Sequence, residues 1–99
     1  LTTRRCYSAT NDFVNAMRSI EDTEIIQVGD WTGGGSGLPF SSELPNGWSI
    51  RFSASPHFDK NEQPLEEGIA PDIAINMSEA DQLKKKDTLI EKAFEILSE

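Results

Sequence analysis

Very little in these 99 residues can cross-link the chain or bind a metal. Cys6 is the only cysteine, so no intrachain disulfide can form. His57 is the only histidine, and one His with one Cys cannot build a His- or Cys-rich zinc site. No apolar run approaches the roughly 18 residues that a membrane-spanning helix needs. Positive charge is scarce as well: 9 Lys and Arg stand against 17 Asp and Glu, a formal net charge of −8. That balance opposes a nucleic-acid surface, which needs clustered cations to displace counterions. Lys84, Lys85 and Lys86 do cluster, but Glu79, Asp81 and Asp87 surround them, which reads as a solvated surface segment. Hydrophobic content of 36% is lean, and a chain this short forms at most one domain with a modest core. The chain opens Leu1-Thr2-Thr3-Arg4-Arg5, inside a predicted extended element and without an initiator Met. It therefore reads as part of a longer protein: a single partial domain, residues 1–99.

What is present divides into short elements. Leu1–Tyr7 is predicted extended. From Ala9 onward, Ala9, Phe13, Ala16, Met17 and Ile20 form one apolar stripe of a helix, with Asn11, Asp12, Asn15 and Arg18 facing elsewhere. Ser8 or Thr10 is placed to cap it, and Asp12 suits the first turn. Glu24–Gly29 is a short strand, so a β-α-β crossover is expected. Five of the seven glycines then fall in "GDWTGGGSG", Gly29 to Gly37, a loop that must turn sharply or approach something closely. A hairpin follows, in which Trp48, Ile50, Phe52 and Ala54 alternate with polar residues and predict one buried face. Asn46-Gly47 predicts a type I′ turn. A polar loop leads to a strand around Ile73–Ile75. Leu89, Ile90, Ala93, Phe94 and Leu97 then mark a second amphipathic helix capped by Asp87 or Thr88. The fold class is mixed α/β, with a β-hairpin and two amphipathic helices.

Few residues suit chemistry. Ser8 lies at the predicted strand-to-helix junction, where a bend exposes the hydroxyl. There the N–H of Ala9 and the positive end of the helix face the same point. Serine is equally a common helix cap. His57 sits in a polar Pro-Asp-Asn loop and reads as a surface side chain. Glu62, Glu66, Glu67 and Asp72 lack the loop spacing of an EF-hand and read as mostly solvated. The glycine loop has no Lys-Ser/Thr after its last glycine, which opposes phosphate binding. No cofactor is called for.

Taken in order, "LTTRRCYSATNDF", "IIQVGDWTGGGSGLP", "LPNGWSIRFSASPHFD", "EEGIAPDIAI" and "KKKDTLIEKAFEIL" resemble the C-terminal part of the C-terminal processing (tail-specific) serine peptidases. The resemblance spans nearly the whole chain, and it is the ordered set rather than any one motif that is specific. It implies a fragment of a crotonase/ClpP-like α/β peptidase core, commonly with a PDZ domain upstream. The family's nucleophile is the second serine of a Ser-Ala-Ser-Ala-Ser-Glu-like motif, and aligned on the shared Ala and on Phe13 it falls on Ser8. Ala9 then supplies one oxyanion-hole N–H, while the other comes from a glycine segment earlier in the chain.

The bacterial Ser-Lys branch carries its lysine in a Thr-Phe-Gly-Lys-Gly loop. Here the matching stretch is Thr32-Gly33-Gly34-Gly35-Ser36-Gly37, and no lysine precedes Lys60, so that dyad is absent. The glycine version is similar to the tricorn-like branch, in which an upstream histidine is the base, oriented through a second serine and a glutamate. "LEEGIAPD" matches the segment that follows this glutamate, which implies Glu66, with Glu67 the alternative. Substrate backbone is expected to pair with the edge of the Gly33, Gly34, Gly35 loop or of the hairpin.

The partners implied are a polypeptide substrate and the absent N-terminal part of the same protein. A homo-oligomer or swap is the other way to cover edges left exposed. An exported, periplasmic location follows from the resemblance alone. The same module also resembles the repeats of interphotoreceptor retinoid-binding protein, so a non-catalytic binding relative is the alternative. An acidic interaction domain without a site is the third reading, and a buried Ser8 hydroxyl would favour it.

Overall fold

Leu1–Tyr7 lies alongside the segment that runs from Val28 into the glycine loop. In a computed structural model that describes residues 1–99, the Thr2 N–H donates to the Val28 carbonyl at 2.9 Å and the Asp30 N–H to Thr2 at 3.0 Å. Further along, the Gly33 N–H reaches Cys6 and the Ser8 N–H reaches Gly34, both at 2.8 Å. The pairing is parallel. The two segments are joined through helix α1 (Ala9–Arg18) in a parallel crossover, but Leu1–Tyr7 contributes only isolated bridges at Thr2 and Tyr7 and not the regular first strand of the expected β-α-β unit. Regular strand in the second segment is confined to β1 (Val28–Gly29). The predicted start at Glu24 is lost because the Gln27 N–H goes to the Asp72 carboxylate, at 2.7 Å, and not to a neighbouring strand.

The glycine-containing segment is an inner one, flanked on its other side by the chain that returns from Glu66. Gly35 N–H donates to Glu66 and Thr32 N–H to Ile69, each at 3.0 Å, in antiparallel sense. After Pro71 the chain reverses, and β4 (Ile73–Ala74) pairs with β1 in parallel. Glu66–Ala74 therefore serves the central segment twice, in opposite directions.

The hairpin comprises β2 (Pro39–Glu43) and β3 (Ser49–Ser53), with Phe40 opposite Phe52 and Ser42 opposite Ile50. Its turn is not the type I′ expected from Asn46-Gly47. Gly47 has φ 84°, but Asn46 is not in the positive-φ region. The Gly47 N–H bonds Leu44, and the Leu44 N–H bonds Trp48. Pro45, with its fixed φ, takes the first central position of a type I turn, and Gly47 follows as the left-handed residue of a bulge. Alternation along β3 holds, yet the face it creates is exposed: Trp48 is 72% accessible and Ile50 46%. The buried face expected there is absent, because each strand's extensive contacts are with the other strand.

Helix α1 departs from its predicted orientation in the same way. Asn11, on the polar side, is fully buried, while Phe13 of the apolar stripe is 62% exposed. The helix turns its Asn11 amide onto Thr32 and Ser36 of the glycine segment and leaves the stripe outside. Toward the C-terminus, α2 (Glu79–Leu83) forms where only a solvated segment was expected. Its cap is Ser78, which accepts from Asp81 N–H at 3.1 Å, the Ser-x-x-Asp pattern of a helix start. Asp87 caps α3 (Thr88–Leu97) by accepting from Leu89 and Ile90 N–H, and α3 rests on β1.

The result is a slab of 59 × 37 × 14 Å with a radius of gyration of 17.4 Å. A globular chain of this length has about 13 Å. A slab so thin encloses almost nothing: only Val28 and Leu65 are buried hydrophobics. Polar ties therefore carry much of the cohesion.

The chief exposed tie is Arg18–Asp72. One guanidinium nitrogen lies 2.7 Å and the other 3.0 Å from the two carboxylate oxygens. Burial alone would raise the Asp72 pKa. The Arg18 hydrogen bonds, the Gln27 N–H and the Arg18 charge outweigh it and hold the carboxyl below its ordinary value. A lowered folded-state pKa gives stability that is present above the unfolded value and is lost as pH falls through the folded one. Asp72→Asn should therefore lower stability near neutrality by no more than about 1 kcal/mol. Its deficit against the unsubstituted protein should be constant above about pH 5 and should close below about pH 4. Urea titrations of both proteins across that range check this, and a deficit that does not change with pH would exclude the linkage.

Candidate active site

Ser8 ends the first extended segment and precedes the first residue of α1. Its backbone has φ 56° and ψ −119°, a region that L side chains rarely occupy. A helix cap normally keeps extended dihedrals and uses its side-chain oxygen to bond the first turn. Ser8 does neither: its side chain makes no cap hydrogen bond, and the residue is exposed. Strain of this kind costs on the order of 1–3 kcal/mol and persists only where the surroundings impose it. A sharply strained strand-to-helix turn is also the geometry that presents a nucleophilic serine in unrelated hydrolases.

The surroundings here are specific. On the strand side the Ser8 N–H is fixed to Gly34 at 2.8 Å, and on the helix side the Ser8 carbonyl accepts from Asp12 at 3.0 Å. The Ala9 N–H donates to no carbonyl and stands at the positive end of α1. Three residues past Ser8 lies Asn11. Its Nδ2 donates to Ser36 Oγ at 2.6 Å and to the Leu65 carbonyl at 3.1 Å. Its Oδ1 accepts from Thr32 Oγ1 at 2.5 Å. Thr32 Oγ1 in turn accepts from the Ile69 N–H at 2.6 Å. Asn11, Thr32 and Ser36 are the largest fully buried side chains in the chain. Reading by hydrophobic periodicity passed over all three, since it assigns polar residues to the outside. The signal available was the pairing of a small amide in the first helical turn with hydroxyls flanking a glycine run.

The glycines are required by close approach. A Cβ on Gly34, which has φ 77°, would lie 1.9 Å from the Glu66 carbonyl oxygen. A Cβ on Gly35 would strike the Tyr7 ring, and one on Gly33 the Arg4 carbonyl. Ser8, Ala9 and the glycine segment are thus brought together directly.

Glu66 adjoins the segment through its main chain only, and the Glu67 carbonyl accepts from Arg4 Nη1, in the first extended segment, at 3.1 Å. Both glutamates line a concavity of about 670 Å³ with Asn15, Arg18, Trp31 and Ile69, and Ser8 is not part of that lining. Glu62, at φ 62°, stays in the surface loop, and Asp72 belongs to the ion pair with Arg18. No group of acidic, His or Cys side chains converges as a metal site would require. His57 does more than decorate a surface loop: its Nδ1 lies 3.3 Å from Asp12 Oδ1, on the first turn of α1, and the pair is partly buried.

The family model described as "Peptidase family S41" matches residues 1–75. Among solved structures, the chain is similar to one described as "a putative peptidase from Parabacteroides merdae ATCC 43184". The two share 57% identity with a TM-score of 0.88, over 97% of this chain and 30% of that one. The chain thus spans less than a third of the length of that relative. No curated protein matches.

Two glycines separate the cost of conformation from the cost of contact. Gly47→Ala meets open space and should lose about 1–2 kcal/mol for its left-handed backbone alone. Gly34→Ala adds a main-chain clash and should lose about 2–4 kcal/mol. Denaturant midpoints of the two variants decide this. Equal losses would mean that the glycine segment tolerates a side chain.

Proposed function

The chain belongs to peptidase family S41, and from that premise we propose that it is the nucleophile-bearing, C-terminal part of a serine endopeptidase's catalytic domain, of the tricorn-like branch. Residues 1–99 are one partial domain of a crotonase-like core, and the base lies in the part that precedes them. The observation that carries this reading is the backbone of Ser8. It is a non-glycine residue held at φ 56° at a strand-to-helix bend, with its hydroxyl exposed and uncommitted to the helix. A cap or a purely structural serine has no use for that strain, and the exposed hydroxyl counts against an interaction domain without a site.

The chemistry follows from the groups in place. Ser8 Oγ attacks the scissile carbonyl and gives its proton to a histidine supplied by the rest of the protein. The oxyanion is held by the Ala9 N–H and by a donor from outside this chain, and losing one such donor costs roughly 3 kcal/mol of transition-state stabilisation. The proton passes to the leaving amine as the C–N bond breaks, and water then releases the acyl group. Glu66, or Glu67 beside it, orients the histidine. The inner position of Gly33, Gly34 and Gly35, with Gly33 N–H, Gly34 C=O and Gly35 N–H already bonded, makes the hairpin the better edge for substrate backbone.

The outer faces favour the partner expected for such a fragment. Phe13 of α1, and Phe40, Trp48, Ile50 and Phe52 of the hairpin, remain 46–72% exposed in this chain. We assign their cover to the remaining part of the parent protein.

Fluorophosphonate labelling of the full-length parent and of its Ser8→Ala form tests the nucleophile. The expected result is label on the parent only. Equal labelling of both forms removes Ser8 from the mechanism, and an unlabelled parent points to a binding relative. Residues 1–99 produced alone should self-associate through these outer faces. A monomeric elution with a sharp two-state melt would show that the outer faces need no cover.

A further inference from the structure

We propose that the buried Thr32–Asn11–Ser36 cluster is a positioning device that holds Ser8 at its strained dihedrals, an inference that rests on the nucleophile reading of Ser8. Strain at one residue relaxes unless both flanks are fixed. The strand flank is fixed by the bond from Ser8 N–H to Gly34. On the helix flank, the first turn of α1 is anchored by the side chain of Asn11, with Asp12–His57 as a partly exposed contact beside it.

Asparagine is the residue that this position demands. The site presents three groups in fixed places: the Ser36 hydroxyl oxygen and the Leu65 carbonyl, which accept, and the Thr32 hydroxyl, whose oxygen accepts from Ile69 N–H and whose O–H is left to donate. A primary amide supplies two donors and one acceptor. Aspartate would set a carboxylate against the Leu65 carbonyl, and leucine would leave the buried Ser36 hydroxyl without a partner and the Thr32 O–H without an acceptor. Every buried side-chain nitrogen and oxygen in the chain has at least one hydrogen-bond partner. Thr32 and Ser36 flank Gly33, Gly34 and Gly35, so the same amide that anchors the helix also fixes the segment whose Gly34 carbonyl holds Ser8. Both flanks of the nucleophile thus depend on one side chain.

The test uses the full-length parent. Thr32→Val removes the hydroxyl at nearly constant volume, Thr32→Ser keeps it, and Asp72→Asn weakens a tie remote from Ser8. Acylation by a fluorophosphonate is read as a maximal rate and a half-saturating concentration. Thr32→Val should lower the maximal rate by about tenfold to a hundredfold with half-saturation unchanged. Thr32→Ser should restore it, and Asp72→Asn should leave it at the unsubstituted value. If Thr32→Val does not fold, Ser36→Ala, which leaves one Asn11 N–H unpaired, takes its place with the same expectation. Amide hydrogen exchange separates the two claims: exchange at Ser8 and Asp12 should quicken in the variant while amides of α3 do not change. A parent that takes no label, but whose Ser8 amide loosens in Thr32→Val, overturns the nucleophile and keeps the clamp. A folded variant that acylates at the full rate with Ser8 equally protected overturns the clamp.

Discussion

One carboxamide determines how this chain is held together. The Asn11 side chain joins three segments that are far apart in sequence: the start of α1, the glycine segment, and the stretch from Leu65 to Ile69. In most small domains an apolar core does this work. Here only two hydrophobic side chains are buried, and the fully buried side chains of any size are an amide and two hydroxyls. Hydrogen bonds of this kind are directional where apolar contacts are not. They fix not only which segments meet but the register at which they meet.

That register explains the glycines. Segments drawn together by short polar side chains approach so closely that their main chains touch, and Gly33, Gly34 and Gly35 have no room for a Cβ. The same closeness allows the Ser8 N–H to reach Gly34 directly, and with it the sharp bend that exposes the Ser8 hydroxyl. Local strain, glycine content and a buried amide are therefore aspects of a single arrangement. Each is needed for the others, which is why replacing any one should be felt at the serine.

The opposite surfaces follow from the same economy of thickness. A slab 14 Å thick spends its inner face on the polar cluster and turns its apolar residues outward. The stripe of α1 and the alternating face of the hairpin are built as buried surfaces are built, with Phe40 and Phe52 rings 5.7 Å apart in tilted contact, yet this chain alone does not cover them. The relative from Parabacteroides merdae is more than three times as long as the matching region, which fits a module completed by further chain.

How much of this was legible depended on the range of the interaction involved. Element types and order were open to inspection of the sequence, because periodicity, caps and turn residues act within a few positions. The crossover from Leu1–Tyr7 through α1 to Val28, the hairpin, and the Asp87 cap are of that kind. The motif order that marks the family was also in the sequence, and the proposal for Ser8 starts from it. The turn at Pro45 went wrong by one residue, because proline's fixed φ overruled the Asn-Gly pair. Which face of α1 points inward was decided only by tertiary structure: amphipathicity states that a helix has two faces, but the partner chooses between them. The positive φ of Ser8, the closure of Asn11 onto Thr32 and Ser36, and the placing of Glu66 by its main chain were likewise invisible. Each depends on groups 21 or more residues apart meeting within hydrogen-bond distance, and no local preference encodes that meeting.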